Sequence, residues 1–175
     1  MIPVILVMAG IFCSCTNDLN TIKRITFDPK APDDVTKNME VFYSDSGYAK
    51  VRIFAAIAEN YSKPQHIMKL KDKLKVDFFD DRGKITSSLT AKYGEINYAT
   101  GIMFVQDSVR LWNYADKREM RTNKLFWNQR DSTIYSNEQV TVKSPKGTGT
   151  GTSITTKQDF SYYKLTNPQG KYEFE

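Results

Sequence analysis

The chain has 175 residues and a formal net charge of +5, with 10 Tyr and 10 Phe but only 1 His and 2 Cys. That length supports one domain with a substantial core and leaves little room for a second full-sized one. A single histidine, His66, excludes a multi-histidine metal centre, and two cysteines exclude a disulfide-built scaffold.

Ile2 to Phe12 is an apolar run interrupted by Pro3 and Gly10. It is shorter than the roughly 20 residues that cross a bilayer and has the length of the apolar region of a secretory signal. Cys15 follows Ser14 and precedes the polar Thr16-Asn17-Asp18, which resembles a bacterial lipobox, where the cysteine becomes the new N-terminus and carries acyl chains. The plainer alternative is a cleaved signal followed by an ordinary cysteine. The expectation is a signal peptide over 1–14 and a lipid anchor on Cys15, each buried CH₂ adding about 0.8 kcal/mol of membrane attachment. For a basic chain outside the cytoplasm, lipid phosphate or an anionic membrane surface is a more accessible partner than nucleic acid. Residues 15–40 contain Pro29, Pro32, Asp33 and Asp34 with little apolar periodicity. They read as a tether, with room for a helical turn capped by Asp33 or Asp34, leading into a domain over 41–175.

From residue 41 the pattern has period two, the signature of strands. Met68, Leu70, Leu74, Val76 and Phe78 share one parity, while Lys69, Lys71, Lys73, Lys75 and Asp77 share the other. Successive strand residues face opposite sides, so the segment has one apolar and one basic face. Asp72 interrupts the apolar face and predicts a bend or bulge. Asp80-Asp81-Arg82-Gly83 predicts a hairpin turn, after which Ile85, Ser87, Leu89, Ala91 and Tyr93 resume the alternation. Tyr98–Gly101 and Asn128–Asp131 are further turns, with Met103, Val105, Val109, Leu111, Leu125 and Trp127 between them and Ile134, Val140 and Val142 beyond. The β-branched and aromatic content points the same way. The fold class is all-β, a two-sheet sandwich or open jelly roll, because no helices are left to cover an apolar sheet face.

A weak repeat runs through this pattern. Asp72-Lys73-Leu74-Lys75-Val76, Asp107-Ser108-Val109-Arg110-Leu111 and Glu138-Gln139-Val140-Thr141-Val142 share one form: acidic, polar, apolar, polar, apolar. Such spacing suggests stacked hairpin units, although alternation alone also generates similarity of this kind.

Enzyme chemistry finds little support. His66 follows Pro64-Gln65 and reads as part of an exposed turn, and the pairs Asp33-Asp34 and Asp80-Asp81 sit beside turn signals. Gly147–Thr152 has glycine at every second position but lacks the GxxxxGK[ST] pattern, so it reads as a flexible hairpin or a thinly covered sheet edge. The lysine stripe reads as a solvated outer face that also discourages edge aggregation, with attraction of anionic headgroups as the functional alternative.

The cysteine motif, the tether and the repeating all-β body together resemble the LptC family, the membrane-anchored periplasmic component of lipopolysaccharide export. The stretch Leu89–Tyr98, followed by Asp107–Leu111, is similar to the strand–turn–strand unit of that family and of the related bridge proteins. The resemblance covers roughly residues 40–165. It implies a twisted antiparallel β-jelly roll of the OstA/LptA/LptC kind, on the periplasmic face of the inner membrane with outer-membrane placement as the alternative. It also implies no catalytic residues and no cofactor. The implied partners are lipopolysaccharide, an inner-membrane ABC transporter, and an LptA-like bridge protein joined edge to edge by β-augmentation. Carrying a lipid through water requires continuous apolar cover. The inward-parity candidates for it are Leu70, Val76, Phe78, Leu89, Ala91, Met103, Val105, Leu125, Trp127, Ile134, Val140 and Val142. The same residues would equally make a filled core, and the pattern leaves both readings open.

Overall fold

The computed structural model describes residue 28 and residues 30–45 and 47–172. The apolar N-terminal run and Cys15 lie outside the described residues. Ahead of the main body, Asp28 organises a short turn, accepting from the backbone N–H of Lys30 through its carboxylate and of Ala31 through its carbonyl.

From Pro32 onward every regular element is a strand. β1 (Asp34–Asp45), β2 (Tyr48–Tyr61), β3 (Ile67–Phe79), β4 (Ile85–Asn97), β5 (Ile102–Asn113) and β6 (Arg118–Asn128) form an antiparallel meander. Beyond β6 each crossing is divided in two. β7 (Thr133–Ser136) and β8 (Val140–Ser144) run beside β6. β9 (Gly147–Gly151) and β10 (Ser153–Lys157) return against them, and β11 (Tyr163–Thr166) and β12 (Gln169–Tyr172) come last. The all-β antiparallel class expected from the alternation is the one observed.

The long strands share one defect. In β3, Lys71 faces Tyr93 but Leu74 faces Ala91, so Asp72 and Lys73 together oppose Lys92 alone. In β5, Gln106 faces Lys124 and Val109 faces Thr122, so Asp107 and Ser108 oppose Asn123. All four bulged residues have positive φ, between 51 and 67°, and two-against-one bulges bend a strand and increase its twist. These sites line up across the sheet with Asn38 (φ 51°) in β1 and with the gaps between β7 and β8, β9 and β10, and β11 and β12. The row is a crease. It carries the repeated acidic-polar positions: Asp72 and Asp107 head the bulges, and Glu138-Gln139 fill the third break. There Thr122 Oγ1 donates to the Gln139 carbonyl (3.1 Å) and Ser136 Oγ to the Lys124 carbonyl (2.7 Å), replacing lost ladder bonds.

The crease folds the sheet into two half-sheets that share one core. The first holds Val51, Ile53, Val76, Phe78, Leu89, Leu111, Met120 and Val142 on its inner face. The second holds Leu70, Met103, Val105, Leu125, Trp127, Ile134 and Ile154. Inserting two residues in β3 keeps the parity, which is why Leu70 and Leu74 are both inside.

Two expectations are corrected. No helical turn follows Asp33 or Asp34; strand β1 starts at Asp34, inside the stretch read as tether. As the end strand, β1 buries only Met39, so its sequence lacks the alternation that marks a half-buried strand. Gly147–Gly151 is a regular strand held between β8 and β12, not a flexible hairpin. A Cβ on Gly151 would lie 2.9 Å from the Thr166 carbonyl oxygen, so glycine there admits close backbone approach.

Candidate functional site

Every one of the inward-parity candidates is buried, and all belong to one apolar cluster between the half-sheets. Val76, Phe78 and Leu89 of the first half-sheet meet Met103, Val105, Leu125, Trp127 and Ile134 of the second along a narrow seam. Phe78 and Trp127 stack edge to face across it, with ring centroids 5.8 Å apart. Ala91 lies at the crease, while Val140 and Val142 continue the first half-sheet along β8. The seam encloses about 10 Å³ of free space, the least that would hold one water. The seam is therefore filled by its own side chains.

The seam leads to a wider mouth. A cavity of about 610 Å³ opens between the ends of β1–β4, at Tyr43, Lys50, Phe79 and Thr86, and the turn regions at Gln129–Arg130 and Lys157–Asp159. Trp127 lines both the mouth and the seam. Its other edge meets Tyr43 of β1 at 6.4 Å. Among the described residues the buried Trp127 indole N–H has no acceptor, an arrangement that costs about 1–3 kcal/mol.

Residues that alternation did not mark also build this interior. Phe160 is fully buried although it lies in no strand, and no periodic signal could have found it. Val51 and Ile53 went unmarked too, although their alternation around Arg52 is a signal that could have found them.

The outer face is polar and paired. Lys71 bonds Glu59 at 2.7 Å, Lys75 bonds Asp77 at 3.1 Å, and Lys69 lies 4.4 Å from the Tyr61 ring centroid. The hydrogen bond from Lys71 holds the Glu59 carboxyl below its usual range. The stripe is thus an ion-paired sheet face more than a row of free cations. Beside it Tyr93, Phe104, Phe126 and Tyr135 form a cross-strand row over β4 to β7, with centroids 5.1 to 6.1 Å apart. Burial, together with Glu95, pushes the Tyr93 hydroxyl up to about 12.

The carboxylates near the turns have local partners. Asp33 accepts from the Ser62 hydroxyl at 2.7 Å, Asp80 accepts from the N–H groups of Arg82 and Lys84 at 2.9 Å, and Asp81 pairs with Lys50. His66 lies in the exposed 62–66 loop and stacks on Tyr98 at 4.5 Å.

The sheet also presents an end strand. No strand pairs with the outer edge of β1 among the described residues, and Val35, Val41, Phe42 and Tyr43 are exposed along it. A long apolar edge of this kind is a template for pairing with another chain.

A search of curated proteins found no match. The family model described as lipopolysaccharide-assembly, LptC-related, matches residues 3–171. Members of that family work in lipopolysaccharide transport at the inner membrane of the bacterial envelope. With a creased all-β body around one apolar interior and a match over nearly its whole length, the chain belongs to the LptC-related lipopolysaccharide-assembly family.

Proposed function

We propose that the protein is a lipid-anchored periplasmic carrier in lipopolysaccharide export. Cys15 holds it to the membrane. Lipopolysaccharide from an inner-membrane ABC transporter enters between the half-sheets with its acyl chains against the inward residues from Leu70 to Val142. A free sheet edge then pairs with a jelly roll of similar build in the bridge protein, and the lipid passes on. The observation that carries this reading is one continuous apolar interior between half-sheets that meet at a crease, within a sheet whose first strand keeps an unpaired edge among the described residues. Catalysis is left to the transporter, whose ATP hydrolysis drives extraction.

The test is in-cell photo-crosslinking with a photoreactive residue at Val76, Phe78 or Trp127, and at outward-facing Lys73 as control. Lipopolysaccharide adducts at the inward sites alone, dependent on transporter ATP hydrolysis, are expected. The filled seam favours a second reading, a structural or adhesive envelope lipoprotein with a closed core. Absence of adducts at every inward site in folded, anchored protein would select that second reading.

A further inference from the structure

Phe160 has no exposed surface, yet it belongs to the segment 158–162 that links β10 to β11. That segment starts from the second half-sheet and is held by the first. Ser87 Oγ donates to the Gln158 carbonyl at 2.9 Å, and Asn113 Nδ2 donates to the Asp159 carbonyl at 2.7 Å. Arg118 Nη1 donates to the carbonyls of Phe160 and Ser161 at 2.9 and 3.2 Å. The Arg118 guanidinium also covers the Phe160 and Tyr163 rings, 5.5 and 5.0 Å from their centroids.

The positions of the donors are informative. Ser87 shares its parity with Leu89, and Asn113 shares its parity with Leu111, so both are inward-facing sites at the rim of the first half-sheet. Most inward sites in the core are apolar, whereas here two buried polar side chains bind the backbone of one loop. The loop is fastened by side chains with no ladder of backbone bonds to the first half-sheet. Its own backbone bond is local, from the Phe160 N–H to the Lys157 carbonyl. Phe160 itself adopts φ of 54°, which an aromatic residue rarely does. Few backbone bonds and side-chain fastening mark a segment that opens separately from the strands. Next to the loop, at Trp127, the mouth is open.

We propose that residues 158–162 form a strap that closes the unloaded carrier. Phe160 holds the place of an acyl chain, and an incoming chain enters at the mouth beside Trp127 and displaces it. This inference rests on the carrier reading and adds a gate to it. It accounts for a filled interior in a protein of a lipid-transport family.

The experiment uses the full-length anchored protein and fluorescently labelled lipopolysaccharide as probe. Loading rates are compared for the wild type, the strap-loosening variants Asn113→Ala and Arg118→Gln, and Asp77→Asn. The last lies on the outer face and lowers stability without touching the strap. Loading at least fivefold faster in the strap variants, with Asp77→Asn at the wild-type rate, is the expected result. Hydrogen exchange on the wild type should show residues 158–162 exchanging at least tenfold faster after loading. Wild-type loading rates in every variant, with unchanged protection of 158–162, would overturn the strap and leave the carrier standing. Acceleration by Asp77→Asn equal to that of the strap variants would also overturn it, since general loosening would then explain the effect. If no variant, nor the wild type, takes up the probe, strap and carrier fall together.

Discussion

Asp77 offers a test of how the outer face is held. Its side chain is 2% exposed, although its parity in β3 points it away from the core. Arg52 Nη2 reaches it at 2.6 Å, Lys75 Nζ reaches it at 3.1 Å, and Ser88 Oγ donates to it while accepting from the Tyr114 hydroxyl. Burial pushes the Asp77 carboxyl up, but the bonds from Ser88, Arg52 and Lys75 outweigh it and hold the group below its ordinary value of 3.8. Asp77→Asn keeps the shape and an acceptor oxygen but removes the charge. The remaining oxygen can serve Ser88 and Lys75, but the amide NH₂ cannot accept from Arg52, so that bond is lost and the one from Lys75 becomes ordinary, a cost of about 2 kcal/mol in all. Both cations remain partly in water, 33% and 45% exposed, so the larger cost of a stranded buried charge does not apply.

The pH dependence follows from the sign of the shift. A carboxyl depressed on folding contributes stability above its unfolded value, and that contribution is lost as the pH falls through the folded value. Urea unfolding at pH 7 should place the midpoint of Asp77→Asn about 1 M below wild type, taking a slope of about 2 kcal/mol per M. The gap should narrow steadily from pH 4 towards pH 2. A gap that keeps its full size at pH 2 would show that packing, not charge, makes Asp77 matter.

Substitutions at two further positions probe the interior and strand β9. Gly151→Ala forces a methyl against the Thr166 carbonyl, which already accepts the Thr152 N–H at 3.0 Å; a loss of about 1–3 kcal/mol in thermal unfolding is expected, and an unchanged melting temperature would contradict the close approach. Trp127→Phe removes a buried N–H that has no acceptor among the described residues, so it should cost less than about 1 kcal/mol in urea unfolding, against about 3–5 kcal/mol for Trp127→Ala. A loss above about 2 kcal/mol for the phenylalanine would mean that the indole N–H is satisfied after all.

Much of this architecture was legible residue by residue. The alternation from Met68 to Phe78 assigned both faces of β3 correctly, because one face is buried and parity then fixes which side chains go inside. The turn at Asp80–Gly83 was readable because Gly83 supplies a φ of 75° and Asp80 collects backbone N–H groups. Asp72 announced its own bulge. What no single segment announced was the crease, because it arises from the alignment of Asn38, Asp72, Asp107, Glu138 and Thr152 across paired strands. Register of that kind is a non-local property. Strand β1 was hidden because an end strand exposes both faces. Phe160 was hidden because an irregular loop has no period. The inward set was found from parity, but its closure by the strap depends on Ser87, Asn113 and Arg118, which are ordinary polar residues until the fold brings them to one loop.

A filled seam changes what binding must accomplish. With only about 10 Å³ free in the seam, an acyl chain gains burial by expelling something already buried, and the strap makes Phe160 the group expelled. Each methylene transferred from water contributes about 0.8 kcal/mol, while exposing a phenylalanine gives back about 1.5–3 kcal/mol. The net affinity is therefore lower than the chain length alone suggests, which favours a carrier that must also release. The offset is measurable with a series of single-chain fatty acids bearing one common fluorophore, titrated against the wild type and Phe160→Ala, with Phe160→Leu as the variant that keeps the core covered. Binding free energy plotted against chain length should give parallel lines. The Phe160→Ala line should show tighter binding by about 2 kcal/mol, roughly thirtyfold in affinity, with Phe160→Leu between them. Coincident lines would mean that Phe160 does not compete with the chain. Lines that diverge with length would mean that it shapes the site along its whole depth instead of occupying one place in it.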